Sequence, residues 1–448
     1  MLLLRSSCSR TLPGLLATGL AALSAALAIP AEGTQDTTGS VEALVAEALE
    51  KSPALAVALA ELSAARERIA PAGTLPDPRL ALSYENDGPA ISLGVEPMTR
   101  LSLMAEQAIP WPGKLRGATK LAGADADVVE TRLARVRLSV EAAVRKAATR
   151  LLEARALQAV TRVQGETWER IEAVARNRYA AGLGSQQDVL RAQAERTRLL
   201  QQARRDETAG RVAMAELRRL LQREPEEPVS LTGKLSDAFP VVPDASAERA
   251  RAVEASPELA LVKMVATRES LAIDLAKRDR SPDLVASAGY MNRGSLPLMW
   301  AVGLGVSVPL FSSRRQEPRV REAEARLAAA KAAESDVTSL LLARTEERLA
   351  LLDQLAEETR LDRESLLVQD RLAVEAALAS YATGAVPFVT VLEAISTEFS
   401  DRRTALARLA AFRTVQADLF ELSLEGAVAM TPSATSASPV ATSAGGGM

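Results

Sequence analysis

The sequence predicts a membrane protein of the α+β class, in which pairs of β-strands alternate with very long α-helices. Landmark dipeptides recur after about 200 residues, which indicates a duplicated structural unit. Two segments, 113–180 and 319–382, contain no proline, and the apolar positions of the first step by three or four residues, as in a helix. Four segments of 7 to 11 residues carry one apolar face, which fits strands that cross a bilayer as well as a soluble sheet.

The duplication is indicated by four pairs of landmarks that occur in one order. Their offsets are 204, 206, 199 and 202 residues. The pairs are Ser52-Pro53 with Ser256-Pro257, Pro76-Asp77 with Pro282-Asp283, Pro110 with Pro309, and Tyr179 to Gly182 with Tyr381 to Gly384. Four landmarks in one order predict two copies of one unit, at 41–246 and 247–426.

The first 31 residues resemble a secretory signal peptide. Arg5 and Arg10 form a positive amino-terminal region, and an apolar stretch follows that ends near Ala28 in a small-x-small pattern. We expect cleavage after Ala28 or nearby, which sends the chain out of the cytoplasm. A single membrane anchor is the alternative, because 12–31 is nearly long enough to span a bilayer.

Each element of the first copy has its own sequence signal. Leu80, Leu82 and Tyr84 alternate onto one face of a strand, and Pro112 suits the first position of a helix. The predicted elements are a helix at 41–70, a β-hairpin at 79–109 with strands 79–85 and 99–109, a long helix at 112–180, a tip at 181–185, a helix at 186–223 and an irregular equatorial segment at 224–246.

The second copy repeats this order. Trp300, Val302 and Leu304 share one face of its last strand, and the opposite face is small and weakly polar. The predicted elements are a helix at 247–278, a β-hairpin at 283–309, a long helix at 318–382, a tip at 383–386, a helix at 387–425 and a disordered Ser/Thr/Ala/Gly-rich tail at 427–448.

The composition excludes several classes of function. The chain has 448 residues with 48% hydrophobic and 25% charged residues, no histidine, and one cysteine, Cys8, inside the predicted leader. Histidine- or cysteine-based catalysis, a Cys-rich zinc site and a disulfide framework are therefore excluded from the mature chain. The net charge of −3 provides no basic surface for nucleic acid. No phosphate-binding or dinucleotide motif occurs, so we predict no enzymatic activity, no cofactor and no resident metal.

Four methionines lie near the predicted strands: Met98, Met104, Met291 and Met299. Their thioethers are ligands for soft Cu(I) or Ag(I). Because neither cysteine nor histidine lies nearby, packing is the interpretation that the sequence favours.

Helix length and strand number predict an oligomer. At about 1.5 Å per residue, each long helix reaches roughly 100 Å, the length of two shorter helices end to end. Four strands cannot close a barrel, and an open edge in lipid leaves unpaired backbone groups that cost several kcal/mol each. Other copies must complete the sheet: a dimer just closes with about eight strands, and a trimer leaves an open lumen.

Three further motifs are Pro76-Asp77-Pro78, the segment Gln107 to Lys114, and the two Tyr-x-x-Gly turns. Together they resemble the TolC family of outer membrane efflux proteins. The Pro-Trp-Pro-Gly-Lys part of the second motif is most similar to the CzcC-like branch for heavy-metal cations. The resemblance implies a homotrimer with a twelve-stranded β-barrel in the outer membrane of a Gram-negative bacterium. A long α-helical barrel then continues the channel across the periplasm.

The resemblance also assigns roles to the tips, which by local sequence alone are two hairpin turns. Gly182 and Gly384 fit positions with positive φ, and Ser185 with Asp188 resembles a capping box. The residues implied to contact a periplasmic adaptor are Gly182, Leu183, Gly184, Ser185, Gly384, Ala385 and Val386. The residues implied to line the pore or its gate are Tyr179, Asp188, Tyr381 and Glu393, although for the two carboxylates a solvated helix face is an equal alternative. Val386 and Thr390 depart from the family pattern, which argues against the usual gate salt bridge.

The sequence therefore predicts the passive outer membrane channel of a tripartite efflux pump. An inner-membrane transporter of the RND type drives it through the adaptor, and heavy-metal cations are the expected substrates. Drugs or other small organic molecules are the alternative substrates. A soluble periplasmic coiled-coil scaffold or adaptor is the alternative protein class.

Overall fold

A computed structural model describes residues 39–235, 240–422 and 424. The predicted signal peptide at 1–31, the predicted tail at 427–448 and part of the equatorial segment lie outside the described residues. The elements are α1 (Val41–Lys51), α2 (Pro53–Glu67), α3 (Ile69–Ala72), β1 (Arg79–Glu85), β2 (Arg100–Ile109), α4 (Lys114–Ala180), α5 (Gln186–Leu220), α6 (Ala245–Ala255), α7 (Pro257–Arg278), β3 (Asp283–Asn292), β4 (Met299–Ser307), α8 (Ser312–Leu361), a π-helical turn (Asp362–Leu366), α9 (Leu367–Thr383) and α10 (Phe388–Glu421).

The upstream helix of each half is interrupted, where the sequence had predicted one continuous helix. The breaks fall at Ser52 and Ser256, which have extended backbone (φ −63°, ψ 118° and φ −69°, ψ 120°). Each serine Oγ accepts a hydrogen bond from the amide of the third residue on, Leu55 or Leu259, at 3.4 Å. Each serine is therefore the N-cap of a new helix, and the proline that follows it occupies the first helical position.

The long helices begin elsewhere than predicted. Pro112 lies in a turn before α4, which starts at Lys114 after Gly113 at φ 95°. Helix α8 starts six residues before Pro318, which lies inside it. The second long helix continues through the π-helical turn into α9. There Asp362 is buried and accepts hydrogen bonds from Arg408 at 2.6 and 2.7 Å, an ion pair that ties the wide turn to α10.

The shorter helices end earlier than predicted, α5 at Leu220 and α10 at Glu421. Gln222 and Leu422 follow them with positive φ values of 54° and 51°. Few residues other than glycine adopt this left-handed conformation, which terminates a helix because it reverses the backbone twist.

The four strands form one antiparallel sheet in the order β1-β2-β3-β4. The two hairpins pair with each other through β2 and β3, and the register sets Leu82, Leu103, Tyr290 and Trp300 side by side in a row across the sheet. In the described part of the chain, the outer edges of β1 and β4 have no partner strand.

The two faces of this sheet differ sharply. One face carries apolar side chains that are largely exposed, with Trp300 at 78% and Leu304 at 85% of full exposure. The other face is small and polar; on β3 and β4 it includes Ser287, Gly289, Ala301, Gly303 and Gly305.

The helices pack around separate apolar clusters. One lies where α1, α4, α5 and α10 meet the irregular segment that contains Val229 and Leu231. A second lies near the tips and includes Trp168, Tyr381, Phe388 and Ile395. None of the described helices is both long and apolar enough to span a membrane.

A buried polar cluster joins three of these helices between the two apolar clusters. The carboxylate of Asp206 on α5 accepts hydrogen bonds from Thr161 Oγ1 of α4 at 2.6 Å and from Arg403 of α10 at 2.8 and 2.9 Å. Burial alone would raise the pKa of Asp206, but the bonds from Arg403, Thr161 and Gln202 outweigh it and lower that pKa.

Candidate functional site at the helix tips

The two tips have the same backbone geometry. In the first, Gly182 N donates to Tyr179 O at 3.0 Å and Leu183 N to Arg178 O at 2.8 Å. In the second, Gly384 N donates to Tyr381 O at 3.0 Å and Ala385 N to Ser380 O at 2.9 Å. Both glycines have positive φ, 74° and 81°, as this type of helix end requires.

The helices that leave the tips are capped differently. Ser185 Oγ accepts a hydrogen bond from Asp188 N at 3.3 Å and is the N-cap of α5. Pro387 is the N-cap of α10 and makes no side-chain cap. The sequence had placed Pro387 inside the helix, and the structure places it one position earlier.

Arg178 joins the two tips. Its Nη1 donates to Ala382 O at 2.9 Å, and its Nη2 donates to Leu183 O at 3.0 Å. One guanidinium group therefore bonds a backbone carbonyl at each tip. It also lies 4.8 Å from the centroid of the Tyr381 ring, within the range of a cation–π interaction.

Tyr381 is the most buried of the predicted gate residues, with only 4% of its surface exposed. Its ring meets that of Phe388 edge to face, with centroids 5.5 Å apart. The hydroxyl makes no hydrogen bond of good geometry in the described part of the chain. Burial raises the pKa of Tyr381, the nearby Asp188 carboxylate adds to the rise, and Arg178 opposes it.

The other predicted pore residues do not join this cluster. Tyr179 occupies the same place in the first tip as Tyr381 in the second, yet it is 49% exposed. Glu393 is exposed on α10, and Asp188 is half-buried beside Tyr381. The structure thus brings Asp188 and Tyr381 together and leaves Tyr179 and Glu393 apart from them.

The predicted adaptor-contact residues lie on the surface of the two turns. Leu183 and Ser185 are exposed, and no atom lies within 4 Å of the place where a Cβ would stand on Gly182. Ala385 is exposed, and Gly184 and Val386 are half-buried. Their contact with an adaptor stays a prediction.

Two residues of the site were missed by the sequence analysis. Arg178 has no counterpart in the second copy, where Ser380 stands at the matching position. Phe388 lies in a segment predicted only as helix; it is 2% exposed and its ring contacts that of Tyr381. The signal for Phe388 was available, because large aromatic residues are scarce in this chain.

A charged cluster around Glu172 lies on α4, shortly before Arg178 in the chain. Glu172 is buried and accepts hydrogen bonds from Gln193 and Arg196 of α5, each at 3.2 Å, while Arg176 approaches it at 2.6 Å. Burial would raise the pKa of Glu172, but these partners lower it. The cluster fixes α5 against α4 next to the first tip.

Comparison with known proteins defines the class. The model of the outer membrane efflux protein family matches residues 44–222 and 250–423. A search of curated proteins found no match.

Solved structures share the fold. A membrane protein from Pseudomonas aeruginosa has a TM-score of 0.72 at 20% identity, over 85% of this chain and 93% of that one. VceC, an outer membrane protein from Vibrio cholerae, has 0.70 at 19% over 85% and 94%. CusC, studied for transmembrane channel formation, has 0.70 at 16% over 86% and 92%.

The fold and the two-part match define an outer membrane protein of the efflux class. The chain belongs to the outer membrane efflux protein family. The prediction of an outer membrane location is confirmed, and the alternative of a soluble periplasmic scaffold is wrong.

Proposed function

We propose that this chain is the passive exit duct of a tripartite efflux pump. It assembles as a homotrimer in the outer membrane of a Gram-negative bacterium, and its helices continue the duct across the periplasm. The observation that carries this proposal is the four-stranded sheet, whose edge strands β1 and β4 lack partners and whose exposed face is apolar. Membership of the efflux family supports it.

The trimer follows from the cost of those edges. In hydrocarbon, each unpaired backbone N–H or C=O group costs several kcal/mol, so β1 of one protomer must pair with β4 of the next. Such head-to-tail contacts form a closed ring. Three protomers supply about twelve strands, enough for a lumen, whereas about eight strands from a dimer are filled by side chains.

The tips are proposed to meet a periplasmic adaptor, which couples the duct to an inner-membrane transporter of the RND type. Exposed Leu183 and the open surface at Gly182 support this role. Asp188, Tyr381 and Glu393, with Tyr179, are proposed to form the entrance. In a trimer, each carboxylate becomes a ring of three, which concentrates cations.

Heavy-metal cations are the proposed substrates, and drugs are the alternative. Support comes from the Pro-Trp-Pro-Gly-Lys motif at 110–114 and from the acidic residues at the proposed entrance. The duct performs no chemistry; the transporter supplies the energy.

The test is a strain that lacks the gene, with and without a plasmid copy. We expect sensitivity to at least one of zinc, cobalt, cadmium, copper and silver, restored by the wild-type copy. Loss of drug tolerance alone would refute the metal assignment and leave the duct intact. A purified protein that stays monomeric and soluble without detergent would refute the duct itself.

A further inference from the structure

Three methionines lie on the small, polar face of the sheet. Met291 on β3 is directly opposite Met299 on β4. Met104 on β2 is opposite Gly289, which is the same-face neighbour of Met291 along β3. Successive side chains alternate between faces, so the register places all three thioethers on one side, within two adjacent rows of the sheet.

These methionines do not belong to an apolar core. The large apolar side chains of the sheet, such as Leu304 and Trp300, are on the opposite face. Around the methionines the polar face offers mostly small neighbours: Ala81, Ser83, Ser102, Gly289 and Ala301. Met299 remains 42% exposed, so packing does not account for its position.

The side chain of Met104 reaches across to β3. A Cβ added to Gly289 would overlap the Met104 sulfur, so the missing side chain of Gly289 leaves the space that this sulfur occupies. Directly opposed residues on neighbouring antiparallel strands have Cβ atoms about 5 Å apart, which brings Met291 and Met299 within reach of each other. Methionine has three rotatable bonds, so the three sulfurs can converge on one point.

We propose that Met104, Met291 and Met299 form a three-sulfur site for a soft monovalent cation, Cu(I) or Ag(I). Thioether sulfur selects such ions over Zn(II) or Co(II), which prefer nitrogen, oxygen or thiolate ligands. The inference rests on the proposed function, in which the apolar face meets lipid and the polar face lines the lumen. The site then lies inside the duct, and its neutral ligands release the ion readily enough for transport.

Arg293 opposes cation binding at this place. Its Nη1 donates to Met299 Sδ at 3.5 Å, and its Nη2 donates to Pro97 O. An incoming cation must displace the hydrogen bond from Arg293 to Met299 Sδ, and the positive charge of Arg293 repels it. Replacing Arg293 with glutamine should therefore strengthen binding, whereas a structural role of the methionines alone predicts no such effect.

The experiment is titration of the purified, detergent-solubilised trimer with Ag(I). We expect one Ag(I) per protomer at saturation and a sulfur-only first shell by X-ray absorption. The triple variant M104L/M291L/M299L retains apolar volume and should bind at least about tenfold more weakly. Arg293→Gln should bind more tightly. Met264→Leu, at an exposed methionine on α7, is the matched control and should bind as the wild type does.

Equal Ag(I) affinity in the triple variant and the wild type would overturn the site, as would competition by Zn(II). Ion conductance in planar bilayers separates this inference from the proposed function. A triple variant that conducts normally and resists silver block supports both. A wild-type protein that conducts but binds no silver refutes the site alone, whereas a purified protein that stays monomeric and soluble without detergent refutes the duct.

Discussion

The guanidinium of Arg178 lies 4.8 Å from the ring centroid of Tyr381, although 203 positions separate the two residues along the chain. The same group donates to Ala382 O at the second tip and to Leu183 O at the first. Arg178 therefore holds the two hairpins of one protomer together at the proposed entrance.

Replacing Arg178 with methionine should loosen the second tip. Methionine keeps the apolar stem but removes both donors and the charge over Tyr381. We expect faster hydrogen exchange at Gly384 and Ala385 in the variant. Arg170→Met is the control, because Arg170 bonds Thr167 of its own helix. Unchanged exchange at both amides would show that Arg178 does not hold the tip.

Tyr381 should tolerate loss of its hydroxyl but not of its ring. The hydroxyl is buried without a good hydrogen bond, so Tyr381→Phe should leave tip stability nearly unchanged. Tyr381→Ala removes the contacts with Phe388 and Arg178 and should cost about 3–5 kcal/mol. Limited proteolysis of the tip measures the difference. Equal protease sensitivity in the two variants would contradict the packing role.

The Asp206 cluster should make stability fall in acid. The pKa of Asp206 is lower in the folded protein than the value of about 3.9 expected when unfolded. Its contribution is therefore complete above about pH 5 and is lost as the pH falls through the folded-state pKa. Thermal unfolding of the wild type and of Asp206→Asn across this range measures it. The variant should be less stable at neutral pH and should show a smaller loss in acid.

Removing the Asp206 carboxylate should also leave Arg403 without its partner. Asp206→Ala should cost about 3 kcal/mol, near the lower limit for a broken buried ion pair because Arg403 retains some contact with solvent. The surface pair Arg204–Glu207 is the control, and Glu207→Ala should cost about 0.5 kcal/mol or less. Similar losses in both variants would contradict the difference in burial.

The two faces of the sheet should respond oppositely to charge. Val302→Arg places a cation on the apolar face, where the proposed lipid contact should cost about 2–4 kcal/mol. Ser287→Arg places the same charge on the polar face, one residue along from Ala288, which pairs with Val302. We expect the first variant to lose trimer in detergent extracts of membranes and the second to retain it. Equal yields would contradict the assignment of the faces.

Local sequence rules predicted the strands well and the helix ends less well. Strand β1 was predicted at its observed bounds, because alternation of apolar residues depends only on neighbours. The breaks at Ser52 and Ser256 carry a local signal, because serine followed by proline is typical of a helix N-cap; the prediction of one continuous helix in each half was wrong. The second long helix was predicted from Pro318, yet it begins at Ser312 and contains Pro318 within its second turn.

The candidate site was only partly predictable. The tip glycines followed from the conformation that they alone adopt readily. Arg178 could not be predicted, because its partner Ala382 lies 204 residues away and their contact depends on how α4 and α9 lie side by side. The different burial of Tyr179 and Tyr381 depends on the same packing, which the sequence motif that they share does not encode.

The two halves of the chain differ in length between their strands and their tips. Pro110 and Tyr179 are 69 positions apart, and Pro309 and Tyr381 are 72 apart. The second span is therefore three residues longer, and the π-helical turn in it accommodates one of the three. Elsewhere in a straight helix, one inserted residue would rotate everything beyond it by about 100°. The segment Asp362–Leu366 thus absorbs one residue of the longer second half upstream of Tyr381, which still contacts Arg178.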